Sequence, residues 1–354
     1  MALGGIIVYD VVFIASFINE IALFVNMNEI VEGKARINVY LGKVSKKLPV
    51  FYNPNMKLNR DISISLINAL GGEWQIALPL AGSGVRGIRM LKECENVKVS
   101  FNDYNVEASE LIMQNLQSNG VTGDVFCKDA ELFLQLSTGF NYIDIDPFGS
   151  PNFLLDIAVK RLSRGGILAV TATDTSALSG TYPKACMRKY WAKPLRNELM
   201  HEIGVRILAR KVQLIAAQYE KALVPVFSHS SLHYMRVYFK CTKGKKHVDE
   251  VLKQHGLFKD VGPMWLGQLW DKDLVARMSL GSLSVIKDEC QLDVVGFYDI
   301  HRTCKRLKIS VPKMSVVVAA IEKAGYKVSA THFNEYGVRT DMPEDEFLRL
   351  VGSC

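Results

Sequence analysis

The sequence predicts a doubly wound α/β fold followed by a smaller α+β domain. Three observations point there. From Trp74 onward, short apolar runs alternate with helical patterns, the signature of βαβ units around a parallel sheet. A glycine-rich turn follows the first of these runs, where doubly wound sheets bind ligands. The alternation stops at a polar, basic stretch, Thr242 to Lys246 (TKGKK), which marks a domain boundary.

The parallel strands are expected at Gln75 to Leu80, Val97 to Asn102, Asp124 to Lys128, Tyr142 to Asp146 and Ile167 to Thr171, with helices between them such as Ala108 to Ser118 and Phe153 to Leu162. A long helix across Glu198 to Glu220 then leads to Leu223 to Ser228 and Tyr234 to Cys241, close enough in sequence to pair antiparallel. Seven strands ending in an antiparallel hairpin are the class I methyltransferase variant of the Rossmann-like plan. After the boundary, Phe297 to Leu307 and Pro312 to Ala324 read as helices, and Tyr326 to Thr340 as a hairpin turning near Asn334 to Gly337. Two helices and a hairpin resemble a winged-helix unit. The expected division is an extension over 1–26, a catalytic domain over 27–243 and a C-terminal domain over 244–354.

Residues 1–26 are strongly apolar, but Asp10 and Glu20 leave no uncharged run of membrane-spanning length. The segment also lacks a basic n-region and a small-residue cleavage site. It reads as an extension upstream of Met27 as the initiator; an amphipathic helix packed on the domain is the alternative. No membrane association is expected. The formal charge of +7 permits a polyanionic partner without the lysine blocks of a purely electrostatic binder. Seven cysteines include no CxxC pair, so the chain is read as cytoplasmic, with free thiols and no metal.

Leu80-Ala81-Gly82-Ser83-Gly84-Val85-Arg86-Gly87 is the expected ligand turn, with Gly82 and Gly84 letting the backbone approach closely. Asp103 ends the second strand, where a carboxylate accepts hydrogen bonds from a ribose. Asp129-Ala130 ends the third, placed to read the edge of an adenine. Arg86 suits an amino-acid-bearing cofactor, because guanidinium pairs bidentately with carboxylate. Methyltransferases often carry an acid at the end of the first strand; Leu78-Pro79 stands there instead, and Arg60 is a candidate for part of that work.

The stretch Asp144-Ile145-Asp146-Pro147-Phe148-Gly149-Ser150-Pro151 ends the fourth strand. The lone pair of an exocyclic base amine is delocalised into its ring, so methylation requires acceptors that draw the nitrogen toward sp3 geometry. The Asp146 carboxylate and Pro147 carbonyl supply two acceptors, Asp146 can take the released proton, and Phe148 offers a stacking face. The motif resembles the Asp/Asn-Pro-Pro-aromatic signature of amino-methyltransferases, with Phe148 at the second proline and Gly149 at the aromatic.

On these residues the sequence resembles one family, the tRNA (guanine-26 N2)-dimethyltransferases of archaeal and eukaryotic type. The matching stretches are Val50 to Asp61 (VFYNPNMKLNRD), Gly84 to Arg89 (GVRGIR), DIDPFGSP, Val170 to Leu208 and Thr331 to Thr340 (THFNEYGVRT). The resemblance implies S-adenosylmethionine as donor and guanosine 26 of tRNA as acceptor. It further implies cofactor contacts from Arg60, Arg86, Asp103, Asp129 and Ala130, a catalytic Asp146, and Phe51 and Phe148 sandwiching a flipped guanine. Some family members carry a cysteine cluster in the second half; this chain lacks it, and no zinc is expected. tRNA is the expected partner, with no protein partner implied. Lys184, Arg188, Lys189, Lys193 and Arg196, then Lys243, Lys245, Lys246, Lys305, Arg306, Lys308 and Lys313, are candidates for phosphate contact. The alternatives are transfer to another base amine in RNA or DNA, and a non-catalytic tRNA-binding protein.

Overall fold

The computed structural model describes residues 27–42 and 48–354, so the expectations for 1–26 lie outside the described residues. The chain opens with an antiparallel hairpin, β1 (Met27–Glu32) and β2 (Ala35–Tyr40). The α/β alternation follows as α1 (Lys57–Leu70), β3 (Trp74–Leu78), α2 (Val85–Glu93), β4 (Val97–Asp103), α3 (Val106–Ser118), β5 (Asp124–Cys127), α4 (Ala130–Leu136), β6 (Phe140–Ile145), α5 (Asn152–Arg161) and β7 (Leu162–Ala172). Then come α6 (Thr175–Leu178), α7 (Pro183–Tyr190), α8 (Met200–Ala217), β8 (Lys221–Ser231) and β9 (Tyr234–Lys243).

The seven strands β3 to β9 form one sheet in the order β5-β4-β3-β6-β7-β9-β8. Pairing is parallel from β5 through β7, and β9 runs antiparallel to both β7 and β8. The order reverses at β3, which pairs with β4 on one side and β6 on the other. Neighbouring crossover helices lie on opposite faces at such a point, opening a crevice beyond the strand C-termini. Ile76, Ala77, Ile143, Ile145, Leu168 and Val170 are fully buried there, as near-continuous apolar strands covered on both faces must be.

Beyond β9 lie α9 (Lys245–Lys253), the hairpin β10 (His255–Phe258) and β11 (Val261–Trp265), α10 (Lys272–Arg277) and α11 (Ile286–Glu289). The sheet ends at Lys243, where the sequence pattern changes, but the packing does not divide there. Val248, Trp265, Leu274 and Ile286 belong to the same hydrophobic core as the sheet. A separate small core begins with β12 (Tyr298–Asp299) and continues through α12 (Ile300–Leu307), α13 (Met314–Lys323), β13 (Val328–Thr331), β14 (Asn334–Thr340) and α14 (Glu344–Ser353). The expected hairpin turns at His332 and Phe333, earlier than Asn334 to Gly337. Gly337 is needed for close packing instead, since a Cβ there would lie 2.4 Å from Thr331 and 2.8 Å from Phe297.

Buried charges join the two cores. Arg339 on β14 donates to Glu202 on α8 at 2.6 Å and to Glu289 on α11 at 3.0 Å, and Arg206 holds the other Glu202 oxygen at 2.9 Å. Burial alone would raise the Glu202 carboxyl, but Arg339 and Arg206 outweigh it and hold the group down at about 2.

Candidate active site

The ends of β3, β4 and β5 are laced together by Asn102, whose fully buried side chain donates to the Pro79 and Lys128 carbonyls and accepts from the Lys128 amide. The turn after β3 requires glycine twice. Gly82 has φ +54° and a Cβ there would lie 3.0 Å from the Phe51 carbonyl; Gly84 has φ +77° and caps α2. Asp103 braces this turn, with Oδ2 accepting from the Gly82 amide at 2.8 Å and Oδ1 from Asn105 at 3.1 Å.

Beyond these strand ends lies a cavity of about 710 Å³, a size suited to a nucleoside cofactor and a base. It brings together Phe51, Arg60, Gly82, Arg86, Asp103, Asp146, Pro147 and Phe148. Gly84, Asp129 and Ala130 are not among its lining residues. Asp129 Oδ1 caps α4, accepting from Glu131 and Leu132 at 2.9 and 3.1 Å.

Asp146 and Pro147 lie on the turn after β6. Gly149, at φ +89°, donates to Thr173 Oγ1 at 2.6 Å and accepts from the Thr173 amide at 2.9 Å, while the Thr173 hydroxyl lies 3.4 Å from the Pro147 carbonyl. Two bonds to the end of β7 therefore fix where Asp146 and Pro147 point. Phe51 and Phe148 meet edge to face, with centroids 4.4 Å apart. That spacing is direct ring contact, so the two rings must part before a base can stack between them.

Charge on this side is arranged in a network. Tyr142 and Asp144 alternate along β6 and so share one side of the sheet, with Asp146 just past its end. Arg86, expected to meet a cofactor carboxylate, is ion-paired with Asp146 Oδ2, donates to Ser63 Oγ at 2.8 Å and lies 3.6 Å from Asp144. Arg236, fully buried on β9, donates to Asp144 at 2.6 Å and to Ser63 at 3.2 Å, and Tyr142 adds a bond to Asp144 at 3.0 Å. Burial would raise the Asp144 carboxyl, yet Arg236 and Arg86 overcome it and hold it below the ordinary range. Two carboxylates thus balance two guanidinium groups, and Arg86 fixes one Asp146 oxygen while leaving Oδ1 uncommitted to it.

Arg60 is held from behind the cavity. Its Nε and Nη2 donate to Glu32 of β1 at 2.7 and 2.6 Å, and Nη2 also reaches the Asn53 carbonyl at 3.1 Å. Glu32 further accepts from Arg89 at 2.9 Å and from Tyr52 at 3.0 Å. Nη1 is the guanidinium nitrogen that neither Glu32 nor Asn53 takes.

A family model described as N2,N2-dimethylguanosine tRNA methyltransferase matches residues 28–261 and 258–351. The chain belongs to this family. The tRNA (guanine(26)-N(2))-dimethyltransferase of Methanosphaera stadtmanae is 39% identical over 371 residues, spanning 90% of this chain and 95% of its own. A protein named tRNA (guanine(26)-N(2)/guanine(27)-N(2))-dimethyltransferase from Aquifex aeolicus is 35% identical over 361 residues, 87% of this chain and 91% of its own. Among solved structures, Trm1 from Pyrococcus horikoshii in complex with S-adenosyl-L-methionine aligns with a TM-score of 0.84 at 33% identity, covering 91% of this chain and 99% of that one.

In this member of the dimethylguanosine methyltransferase family, several residues that build the site carried no motif. Arg236 had a weak signal, a lone arginine inside the apolar run Tyr234 to Phe239, and charge in such a strand is buried only with a partner. Glu32 and Ser63 carried none, and Thr173 lay in the stretch Val170 to Leu208 with no role legible for it, because each acts through a residue remote in sequence. The basic candidates from Lys184 to Arg196 and from Lys243 to Lys313 are all exposed, although Lys189, Lys245 and Arg306 pair with Asp174, Glu220 and Glu344.

Proposed function

We propose that this protein transfers methyl groups from S-adenosylmethionine to the exocyclic N2 amine of guanosine 26 in tRNA, giving N2-methyl- and then N2,N2-dimethylguanosine. One observation carries the reading: the Asp146 carboxylate and the Pro147 carbonyl, pinned by Thr173, share a single cavity with the glycine turn and Asp103. The residues suit the cofactor. Gly82, whose Cβ would crowd the Phe51 carbonyl, lets the turn close against the Phe51 segment of the cavity wall, and the buried Ser83 hydroxyl on that wall has no hydrogen-bond partner. Asp103 and Arg60 Nη1 are the groups we assign to the ribose and the amino-acid end, with Asp129 and Ala130 toward the adenine.

When bound, S-adenosylmethionine supplies an electrophilic methyl group on a good leaving group. The protein's part is to place the acceptor nitrogen. Asp146 Oδ1 and the Pro147 carbonyl accept its two hydrogens, which pulls the lone pair out of conjugation and aligns it. When the methyl group moves to the nitrogen and its bond to sulfur breaks to leave a neutral thioether, Asp146 Oδ1 would take the amine proton, with Oδ2 held in place by Arg86. A guanine in folded tRNA is reachable only when flipped out of its stack, and Phe51 and Phe148 replace the lost stacking once their rings part. We assign the exposed basic residues of α7, α9 and α12 to the tRNA backbone, and the segment from Gly244 to Cys354 to tRNA binding. The unpaired cysteines suit a reducing cytoplasm, and no helix among the described residues is long and apolar enough to cross a membrane.

Purified protein, unmodified tRNA transcript and methyl-labelled S-adenosylmethionine, followed by nucleoside analysis and position mapping, test the reading. Labelled dimethylguanosine at position 26 is the expected result. Label on another base amine would keep the chemistry and overturn the substrate; no label despite cofactor binding would overturn both.

A further inference from the structure

Strands β8 and β9 pair up to Ser231 and Tyr234, leaving Leu232 and His233 as a two-residue turn. Such turns take glycine, asparagine or aspartate where φ is positive. Leu232 occupies the first central position with φ +48°. A bulky L-residue is strained there, and strain of this kind persists only where its surroundings impose it. The side chain gains little burial in exchange, being 64% exposed. It nevertheless lines the same cavity as Asp146, Phe51 and Phe148, as does half-exposed Phe153 at the start of α5. An apolar side chain on a strained hairpin tip, projecting at the edge of a cavity sized for a cofactor and a base, is poorly suited to free solution.

We infer that Leu232 is the wedge that enters the tRNA base stack as guanosine 26 swings into the cavity, an inference that rests on the reaction assigned above. Extruding a base forfeits its stacking, and an apolar side chain inserted in its place both offsets that loss and blocks the base from returning. Phe51 and Phe148 touch each other beside the acceptor groups, where they would meet the base after it has left the stack. Leu232 sits at the lip and acts before that. It is a positioning residue: it sets how often the base reaches Asp146, not what happens there.

The test compares wild type, Leu232→Ala and Leu232→Gly in single-turnover methylation of two transcripts. One is the native tRNA sequence; in the other, the nucleotide facing position 26 is replaced by an abasic residue, so the guanine is already loosened. Both variants should lose about 30-fold on the native transcript and less than about 3-fold on the loosened one, a difference that a merely structural role would not produce. A transcript with 2-aminopurine at position 26 should brighten with wild type and not with the variants. Leu232→Gly should melt no lower than wild type, because glycine takes positive φ freely. Unchanged rates on the native transcript, or equal losses on both, would overturn the wedge. Wild type inactive on both transcripts would overturn the assigned reaction, and the wedge with it.

Discussion

Replacing Glu32 by glutamine should destabilise the protein and weaken the cofactor side of the site together. Glu32 is 2% exposed and accepts two bonds from Arg60, one from Arg89 and one from Tyr52. Removing one partner of a buried ion pair costs roughly 3–5 kcal/mol, because the other charge is left in a low dielectric. Arg89 keeps Asp61 at 2.6 Å and Glu93 at 2.8 Å, so only Arg60 loses its carboxylate and the low end applies, about 3 kcal/mol. With a urea slope of about 3 kcal/mol per molar, the unfolding midpoint should fall by about 1 M. The pH dependence carries a definite sign. Burial acts to raise the Glu32 carboxyl, but Arg60 and Arg89 reverse this and hold it at about 2, against an ordinary 4.5. Its stabilisation is therefore complete above about 4.5 and is lost as the pH falls toward 2. The gap between wild type and Glu32→Gln should be constant from pH 7 to 5 and shrink below that. S-adenosylmethionine affinity should drop with it, since Arg60 lines the cavity. A midpoint shift under about 0.3 M, or a gap that widens in acid, would refute the reasoning.

Three further substitutions test the two sides of the site and the link between the two cores. Asp146→Ala should abolish transfer while S-adenosylmethionine affinity changes by less than about threefold, as Arg86 retains Asp144 and Ser63; equal loss of both in calorimetry and turnover would remove the acceptor role. Asp103→Ala should weaken cofactor binding by about tenfold or more, because it removes the acceptor we assign to the ribose and also frees the Gly82 turn, and unchanged affinity would take Asp103 out of the site. Arg339→Met should lower stability by roughly 3–5 kcal/mol and expose the link between the two cores to limited proteolysis. A thermal midpoint within experimental error of wild type would show that Glu202 and Glu289 are satisfied without it.

The alternation of apolar runs and helices placed all seven strands of the main sheet, although β7 begins at Leu162, earlier than the expected Ile167, because a strand covered on both faces must be apolar throughout whichever strand it pairs with. The glycine turn, Asp103 and the DIDPFG stretch were legible for a similar reason. Each sits at a strand end, and strand ends at the reversal of a doubly wound sheet converge on one crevice. Other features depended on contacts the chain makes far from itself. The turn-like Asn334 to Gly337 lies inside a strand because Gly337 must pass close to Phe297. The basic stretch after β9 ends the sheet but not its core, since α9 and α10 fold back onto it.

The sequence by itself determined the sheet, the family and the place of the DIDPFG stretch at a strand end, all properties of local pattern. The tertiary structure alone decided what the charges do. Arg86 and Arg60 read in sequence as ligands for a cofactor, and in the fold each is anchored by a protein carboxylate, Asp146 and Glu32, on a different element. A guanidinium removed from water takes whatever carboxylate the packing brings to it, and sequence spacing does not encode which one that is.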